Sequence, residues 1–182
     1  MPADSEPFDD IMASLDSRMV VVTTAAGGER AGCLVGFHAQ SSIDPRRYTI
    51  WLSKANHTYR VALRASHVAV HFLTSDDVGL AERFGTLTGD DLDKFDGLDT
   101  TEADGGVPLL DTSRYRFVAR RIALLDEGGD HVCVVVEPIS VTAAGRFTPL
   151  LLSQVDHLEP GHGNQERNQP ATERAGAAAD VS

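Results

Sequence analysis

The 182-residue chain carries 16 Lys and Arg against 27 Asp and Glu, for a formal net charge of −11, and 42% of its residues are hydrophobic. Binding to nucleic acid or to an anionic membrane surface relies on a basic face, so this balance argues against both. The hydrophobic content can form one sizeable core, and no apolar run approaches the roughly 20 residues of a membrane helix. The acidic N-terminus lacks a signal-peptide pattern, and we expect a cytoplasmic protein.

The first elements in chain order are a helix and three strands. Apolar residues recur at helical spacing over residues 8–15, which predicts a short amphipathic helix. Residues 19–24, 31–37 and 48–53 are rich in β-branched residues or alternate between apolar and polar residues, and each predicts a strand. A glycine turn separates the first two strands, and an Asp-Pro step ends the second.

The middle of the chain predicts two more helices and another strand. Asn56 or Thr58 can cap the helix that follows it. Alternation predicts a strand over residues 68–73, and the Ser-Asp-Asp sequence just after it is a helix start that leads into residues 78–84. Residues 85–111 carry many Gly and Asp and predict a long excursion, which in compact domains is usually functional or partly structured.

The last part of the chain is dominated by β structure. Two long β runs, at residues 115–125 and 131–141, are joined by an Asp-Glu-Gly-Gly-Asp sequence that is typical of a hairpin. Residues 147–152 predict a final strand. Residues 159–182 contain almost no large apolar side chain, so this segment is predicted to be disordered.

Together these elements predict a mainly β protein with six or seven strands and a few helices. Strands and long helices do not alternate regularly, which disfavours a doubly wound parallel sheet. A closed antiparallel barrel removes exposed strand edges, so we predict a small antiparallel barrel with attached helices. The predicted organisation is a flexible N-terminus at residues 1–7, one folded domain at 8–158 and a disordered polar tail at 159–182.

The sequence lacks the common motifs for phosphate and metal chemistry. It has no GxGxxG and no GxxxxGK[ST] sequence, so a nucleotide must be held by another device. His67 and His71 share one face of a predicted strand, but strand-surface histidines are common, and we predict no metal site. Cys33 and Cys133 have neither CxxC nor disulfide-framework spacing and are predicted to be reduced thiols.

Residues 52–58, LSKANHT, hold the most informative group of polar side chains. They end a predicted strand and open a predicted helix, and they offer hydroxyl, ammonium and amide groups. A helix N-terminus leaves backbone N–H groups free and carries partial positive charge, so a phosphate fits there. A capped helix with an exposed lysine explains the same residues equally well.

Three stretches in order resemble the flavin reductase-like family, which folds as an FMN-binding split β-barrel. They are residues 30–45 (RAGCLVGFHAQSSIDP), 52–58 (LSKANHT) and 129–131 (GDH). Family members show a Gly followed by a small-residue segment, a Ser-Leu-Asp-Pro-Pro-like stretch, a Ser and Asn/Ser-x-Thr stretch, and a later Gly-Asp-His. The similarity spans roughly residues 8–158, so it covers nearly the whole predicted domain.

This resemblance implies an oxidoreductase that is a homodimer with flavin at the subunit interface. Such proteins pass a hydride from NADH or NADPH to FMN, or to FAD, and the reduced flavin often leaves to feed a partner monooxygenase. Residues 81–84 (AERF) also resemble a family helix that ends in Phe. The positions that match these family features are the candidate cofactor-binding residues: Val35, Gly36, Phe37, Ser42, Ser53, Lys54, Asn56, Thr58 and Phe84. By the same resemblance, His131 would lie near the nicotinamide and is the candidate catalytic residue.

The resemblance assigns these residues different contacts. Val35, Gly36 and Phe37 would line the flavin ring, with a hydrogen bond from the Ser42 turn. The residues from Ser53 to Thr58 would bind ribityl and phosphate oxygens, and Phe84 would pack against the ring or the nicotinamide. An ordinary reading of His131 stays open, namely a histidine that starts a strand and pairs with the preceding aspartate.

Two departures from the family pattern leave alternatives open. Family members often carry Ser or Thr where this chain has Val35-Gly36-Phe37, and Arg46 replaces the second proline of the Asp-Pro-Pro pattern. A split-barrel oxidoreductase with tightly bound FMN or a deazaflavin, and a non-catalytic flavin-binding module, are therefore kept as alternatives. Three arginines could recognise an NADPH phosphate or could form a solvated face: Arg114, Arg116 and Arg120.

Overall fold

The computed structural model describes residues 5–87 and 92–159. Within these ranges the α-helices are α1 (Ser5–Ser14), α2 (His57–Ala62) and α3 (Val78–Thr86). The strands are β1 (Val20–Ala26), β2 (Glu29–Val35), β3 (His38–Ser42), β4 (Arg47–Ser53), β5 (His67–Phe72), β6 (Thr100–Ala103), β7 (Val107–Leu110), β8 (Arg116–Leu125) and β9 (His131–Thr142). Single 3₁₀ turns cover Asp104–Gly106 and Leu152–Gln154.

Seven of these strands form one antiparallel sheet in the order β2-β1-β5-β8-β9-β4-β3. Strands β2 and β3 are the two edges of this sheet, yet only Gly36 and Phe37 separate them in the chain. That link spans at most about 11 Å, whereas the edges of a flat seven-stranded sheet lie about 29 Å apart. The sheet must therefore curl until the connected ends of its two edge strands lie no more than about 11 Å apart, which gives the half-barrel form.

His38 fastens this closure on the β3 side. Its Nε2–H donates to the carbonyl oxygen of Arg18 at 2.7 Å, and its Nδ1 lies 2.6 Å from the hydroxyl of Tyr48. Since a carbonyl oxygen can only accept, Nε2 carries the proton and the tyrosine hydroxyl donates to Nδ1. Burial lowers the pKa of His38, which favours this neutral form.

Strand β1 is buried on both of its faces. Val20 and Val22 pack in the barrel interior, whereas Val21 packs on the other side against Leu73 and the helix residue Phe84. Successive side chains of a strand point to opposite faces, so a strand covered on both sides needs apolar residues at every position. This explains the unbroken Val-Val-Val run and places α3 as a layer outside the barrel.

The structure confirms a mainly β fold with a seven-stranded antiparallel barrel-like sheet and helices around it. It differs from the sequence predictions at several boundaries. Helix α1 begins at Ser5, inside the segment 1–7 that was expected to be flexible, because the carboxylate of Glu6 in the first turn complements the helix dipole. Residues 1–4 and the predicted tail from residue 160 onward lie outside the described residues.

The sequence pattern does not separate β3 from the strand predicted over residues 31–37, which was expected to end at the Asp-Pro step. The chain instead crosses from one sheet edge to the other after Val35 and begins a new strand at His38. The new strand forms because β3 pairs with β4, and a pairing between separate strands leaves no local sequence pattern. The excursion predicted at residues 85–111 is partly structured, since it contains the two-stranded β6-β7 sheet.

The final strand predicted at residues 147–152 is wrong. The segment forms only isolated bridges, Thr74 with Pro149 and Arg18 with Leu151. Leu150 lies between the ends of β1 and β5, where its carbonyl accepts from Met19 N–H at 2.8 Å and its N–H donates to the Leu73 carbonyl at 2.9 Å. Because Pro149 has no N–H to donate, the pairing does not extend into a ladder.

In the ranges that the structure covers, no helix is long and apolar enough to span a membrane.

His71 provides a test of the barrel core through the pH dependence of stability. Its side chain is fully buried, its Nε2 lies 3.2 Å from the Thr23 hydroxyl, and its Nδ1 has no hydrogen-bond partner among the described residues. Burial, with a smaller contribution from the charge of Arg116, lowers the pKa of His71 from 6.5 to about 3. Between these two pKa values His71 is protonated in the unfolded chain and neutral in the folded chain. The free energy of unfolding therefore falls as the pH drops from about 6.5 toward 3.

We expect the free energy of unfolding, measured with urea between pH 7 and pH 4, to decline less steeply in His71→Gln than in the wild type. The exposed His157→Gln serves as the matched control. A His71→Gln variant with the full wild-type slope would contradict this assignment.

Candidate functional site

A cleft of about 490 Å³ opens where the chain crosses from β2 to β3. Seven of the residues predicted from the sequence line it: Val35, Gly36, Phe37, Ser53, Asn56, Phe84 and His131. They come from four separate parts of the chain, so the cleft exists only in the folded protein. Its walls combine apolar and aromatic surface with a few polar groups, the usual composition of a small-molecule site.

Strand pairing brings these segments together. Ser53, the last residue of β4, lies directly opposite His131, the first residue of β9. Trp51 N–H donates to the carbonyl oxygen of Phe37 at 2.9 Å, which fixes the crossing segment beside β4. The convergence of the three sequence motifs is therefore a consequence of sheet register.

Two polar groups of the cleft are available to a ligand. The Ser53 Oγ is buried and has no hydrogen-bond partner among the described residues, although buried hydroxyls are usually paired. Asn56 caps α2 with its Oδ1, which accepts from Thr58 N–H at 3.0 Å, and this leaves the amide NH₂ as a donor. A ligand with oxygen acceptors, such as the ribityl and phosphate groups of a flavin nucleotide, fits these donors.

His131 lies at the cleft together with Phe37. The two rings pack edge to face with centroids 5.3 Å apart, and the Phe37 side chain is 60% exposed. The Nδ1 of His131 lies 2.7 Å from the Asp130 carboxylate. A carboxylate only accepts, so Nδ1 carries a proton, and in the neutral ring Nε2 is a hydrogen-bond acceptor.

The cleft floor is formed by a close contact between β2 and α3. A Cβ added at Gly32 would lie 2.8 Å from Cε1 of Phe84, and one added at Gly85 would lie 3.0 Å from Cδ2 of Leu34. Such distances leave no room for a side chain at Gly32 without a shift of the phenyl ring. Phe84 is buried and packs on Phe95, so its ring forms a fixed floor.

Three predicted residues do not line the cleft. Lys54 pairs with the Asp126 carboxylate of the β8-β9 turn at 2.7 Å, and Thr58 is buried in the first turn of α2. Ser42 is paired with Arg47 and lies at the opposite end of the β3-β4 hairpin, about 20 Å along the strand from Ser53. The local sequence placed Lys54 and Thr58 near the site, but the Lys54 side chain is paired with Asp126 and the Thr58 side chain is buried.

Two arginines that were considered for nucleotide phosphate recognition have structural partners. Arg116 donates to the backbone carbonyls of Leu110 and Ser113 at 2.7 and 2.8 Å. Arg120 pairs with Glu137, which also binds Arg47. The third, Arg114, is exposed and does not line the cleft.

Several cleft residues were not predicted. Trp51 was detectable, because alternation places it on the same strand face as Ser53. Gly85 and Asp130 directly follow or precede predicted residues in the chain. The others needed the three-dimensional structure, since they come from the segment before β1, from β2, and from the segment after Leu150: Ser17, Met19, Cys33, Leu34, Leu152, Val155 and Leu158.

Comparison with known proteins gives consistent matches. The sequence model of the flavin reductase like domain matches residues 12–160. An Agrobacterium fabrum protein named FMN reductase (NADH) SmoA is 32% identical over 133 residues, covering 73% of this chain and 74% of the relative. The reductase subunit HsaB of a flavin-dependent monooxygenase from Rhodococcus jostii is 24% identical over 159 residues, covering 86% and 80%.

Solved structures share the fold. The NADH:FAD oxidoreductase SgcE6 of Streptomyces globisporus superposes with a TM-score of 0.73 at 22% sequence identity, covering 83% of this chain and 89% of that one. At this identity the likeness concerns the arrangement of strands and helices, and it agrees with the curled sheet described above.

The Ser53 hydroxyl should contribute little to stability, because no residue within 5–87 or 92–159 forms a hydrogen bond with it. Removing a buried, unpaired polar group is neutral or stabilising, whereas removing a paired one costs about 1 kcal/mol or more. We expect Ser53→Ala to unfold in urea at the wild-type midpoint or above. Thr23→Val, which loses a hydroxyl that donates to the Pro108 carbonyl at 2.6 Å, should unfold at lower urea. A clear loss of stability in Ser53→Ala would show that the hydroxyl has a structural partner.

Proposed function

Because the chain belongs to the flavin reductase-like domain family, we propose that it is an NAD(P)H-dependent flavin reductase that transfers a hydride from NADH or NADPH to FMN in the cleft. The observation that carries the proposal is the cleft in which seven of the predicted residues converge around the Ser53 hydroxyl, which has no hydrogen-bond partner among the described residues. FMN is favoured as the flavin because the Agrobacterium relative is named an FMN reductase (NADH). FAD remains the alternative acceptor, as in the name of the Streptomyces structure.

The cleft residues divide between binding and orientation. Val35, Gly36 and Phe37 supply a narrow wall for the flavin ring, since Gly36 adds no side chain to the crossing segment. Ser53 and Asn56 supply hydrogen-bond donors for ribityl and phosphate oxygens. Ser42, Lys54 and Thr58 are not assigned direct contacts within one subunit, because they lie outside the cleft lining.

Bound flavin supplies the hydride-accepting chemistry, and the protein supplies binding, orientation and exclusion of water. Hydride transfer oxidises NAD(P)H and reduces the flavin, so the redox change is balanced and the reaction requires no nucleophilic side chain. His131 acts on the nicotinamide side in this proposal. With its Nδ1–H held by Asp130, its Nε2 can accept a hydrogen bond from the carboxamide NH₂ of the nicotinamide and so orient that ring.

The proposal also covers the oligomeric state, the partner protein and the cellular location. We expect a homodimer with the cleft near the subunit interface, and reduced flavin that leaves to feed a partner monooxygenase. The second expectation is supported by the Rhodococcus relative, which is named the reductase subunit of such an enzyme. Dependence on NADH or NADPH favours a cytoplasmic location, and the domain is proposed to span residues 8–158.

The direct test is NADH and NADPH consumption by the purified chain with and without added FMN. We expect turnover that requires added FMN and saturates with it. Ser53→Ala should raise the FMN concentration for half-saturation about five- to tenfold, the effect of one lost hydrogen bond, without loss of stability.

Either of two outcomes would contradict the reductase. Oxidation of neither nucleotide, with FMN bound, would favour a flavin-binding module. Turnover that is independent of added FMN, with flavin retained through purification, would favour an enzyme with a resident cofactor.

His131 is tested separately through its effect on the nicotinamide nucleotide. We expect His131→Ala to raise the KM for the preferred nucleotide about tenfold, because the hydrogen bond to the carboxamide is lost, and to change FMN half-saturation by a smaller factor. His67→Ala is the matched control, since that histidine also begins a strand but contacts Gly105 outside the cleft. Equal effects of the two variants would remove the assignment of His131 to the nucleotide.

A further inference from the structure

We propose that Lys94 is a positioning residue of the cleft, whose buried amino group links strand β2 to the end of helix α3 and so fixes the cleft floor. This inference rests on the proposed function, since the ligand whose binding it controls is the flavin. Lys94 does not line the cleft, and it acts through the residues that do.

The link is made by two hydrogen bonds. Nζ of Lys94 donates to the carbonyl oxygen of Gly32 in β2 at 3.1 Å and to that of Phe84 in α3 at 3.0 Å. The residue is only 5% exposed, so these bonds are shielded from water. Both acceptors lie where regular structure leaves carbonyls unpaired, on an edge strand and in the last turn of a helix.

Both carbonyls adjoin the floor of the cleft. Phe84 lines the cleft itself, and Gly32 precedes the lining residues Cys33 and Leu34. The backbone of Gly32 and the ring of Phe84 are in such close contact that a Cβ at position 32 would lie 2.8 Å from the ring. A bond that holds these two backbones together therefore sets the depth at which the phenyl ring meets a ligand.

The backbone of Lys94 is itself tied to α3. Arg83, on that helix, donates from Nε to the carbonyl oxygen of Lys94 at 2.6 Å and from Nη2 to that of Asp96. Phe95 packs on the ring of Phe84 with centroids 5.4 Å apart. With its main chain anchored on α3, the side chain of Lys94 crosses to β2.

If Lys94 only filled space, its buried ammonium would cost desolvation free energy without any compensating interaction. Burial lowers the pKa of Lys94, and among the described residues no carboxylate pairs with it. A methionine of similar volume would fill the space without the desolvation cost, so the carbonyl link is the feature that requires an amino group. Burial raises the pKa of the thiol of Cys33, a cleft-lining residue, and the charge of Lys94 opposes that rise.

The experiment measures the dissociation constant of FMN by quenching of its fluorescence, with the thermal midpoint recorded for each full-length variant. Lys94→Met keeps the volume and removes the donors, and we expect it to bind FMN about tenfold more weakly. Lys94→Gln keeps an uncharged NH₂ donor on a side chain that is one bond shorter, and it should recover part of the lost affinity. This rescue separates positioning through hydrogen bonds from a general loss of packing.

Arg116→Met is the matched control, because Arg116 also joins two backbone carbonyls but lies outside the cleft lining. It should lower the thermal midpoint and leave FMN binding unchanged. Wild-type affinity in Lys94→Met, or an equal loss of affinity in Arg116→Met, would overturn the inference. Wild-type protein that does not bind FMN at all would instead overturn the proposed function.

If Lys94→Met does not fold, Gly32→Ala tests the same contact from the other side. The added methyl group forces the ring of Phe84 away from β2, and the inference expects a similar weakening of FMN binding. A folded Gly32→Ala protein with wild-type affinity would overturn it.

Discussion

The two-residue link between β2 and β3 is the constraint on which the rest of the structure depends. Gly36 and Phe37 join the two opposite edges of a seven-stranded sheet, a separation that a flat sheet would make too large for so short a link. The sheet is therefore curled, and the curl is held on one side by the hydrogen bond from His38 to the Arg18 carbonyl. The same link creates the cleft, because its backbone crosses a gap that no strand fills.

Closure also determines which layers cover the barrel. Because the sheet is curled, β1 lies between the barrel interior and helix α3. Its valines pack into the hydrophobic clusters on both sides. The close approach of Gly32 to Phe84 then brings helix and strand into direct contact below the cleft. A rigid floor, a thin crossing segment and the ends of β4 and β9 together form a site on regular elements, which holds its geometry better than a site built on loops alone.

The polar groups around the cleft differ in whether the protein itself supplies their hydrogen-bond or ion-pair partner. Two ionisable side chains near it have partners in the protein, Lys54 in Asp126 and His131 in Asp130. The Ser53 hydroxyl lacks a partner among the described residues, so the fold bears an unsatisfied group that a ligand can satisfy. An unpaired hydroxyl at the cleft suits the binding of an oxygen-rich ligand, as proposed above.

The sequence by itself determined the mainly β class, most strand positions, the helix capped by Asn56 and the family, because these depend on local periodicity, capping and ordered motifs. It also placed Ser53 and His131 in the candidate site. Only the tertiary structure decided that β3 is a separate edge strand, that residues 147–152 form no ladder, and that Lys54 and Ser42 lie away from the cleft. Strand register and long-range partners decide these features, and residues far apart in the chain encode them.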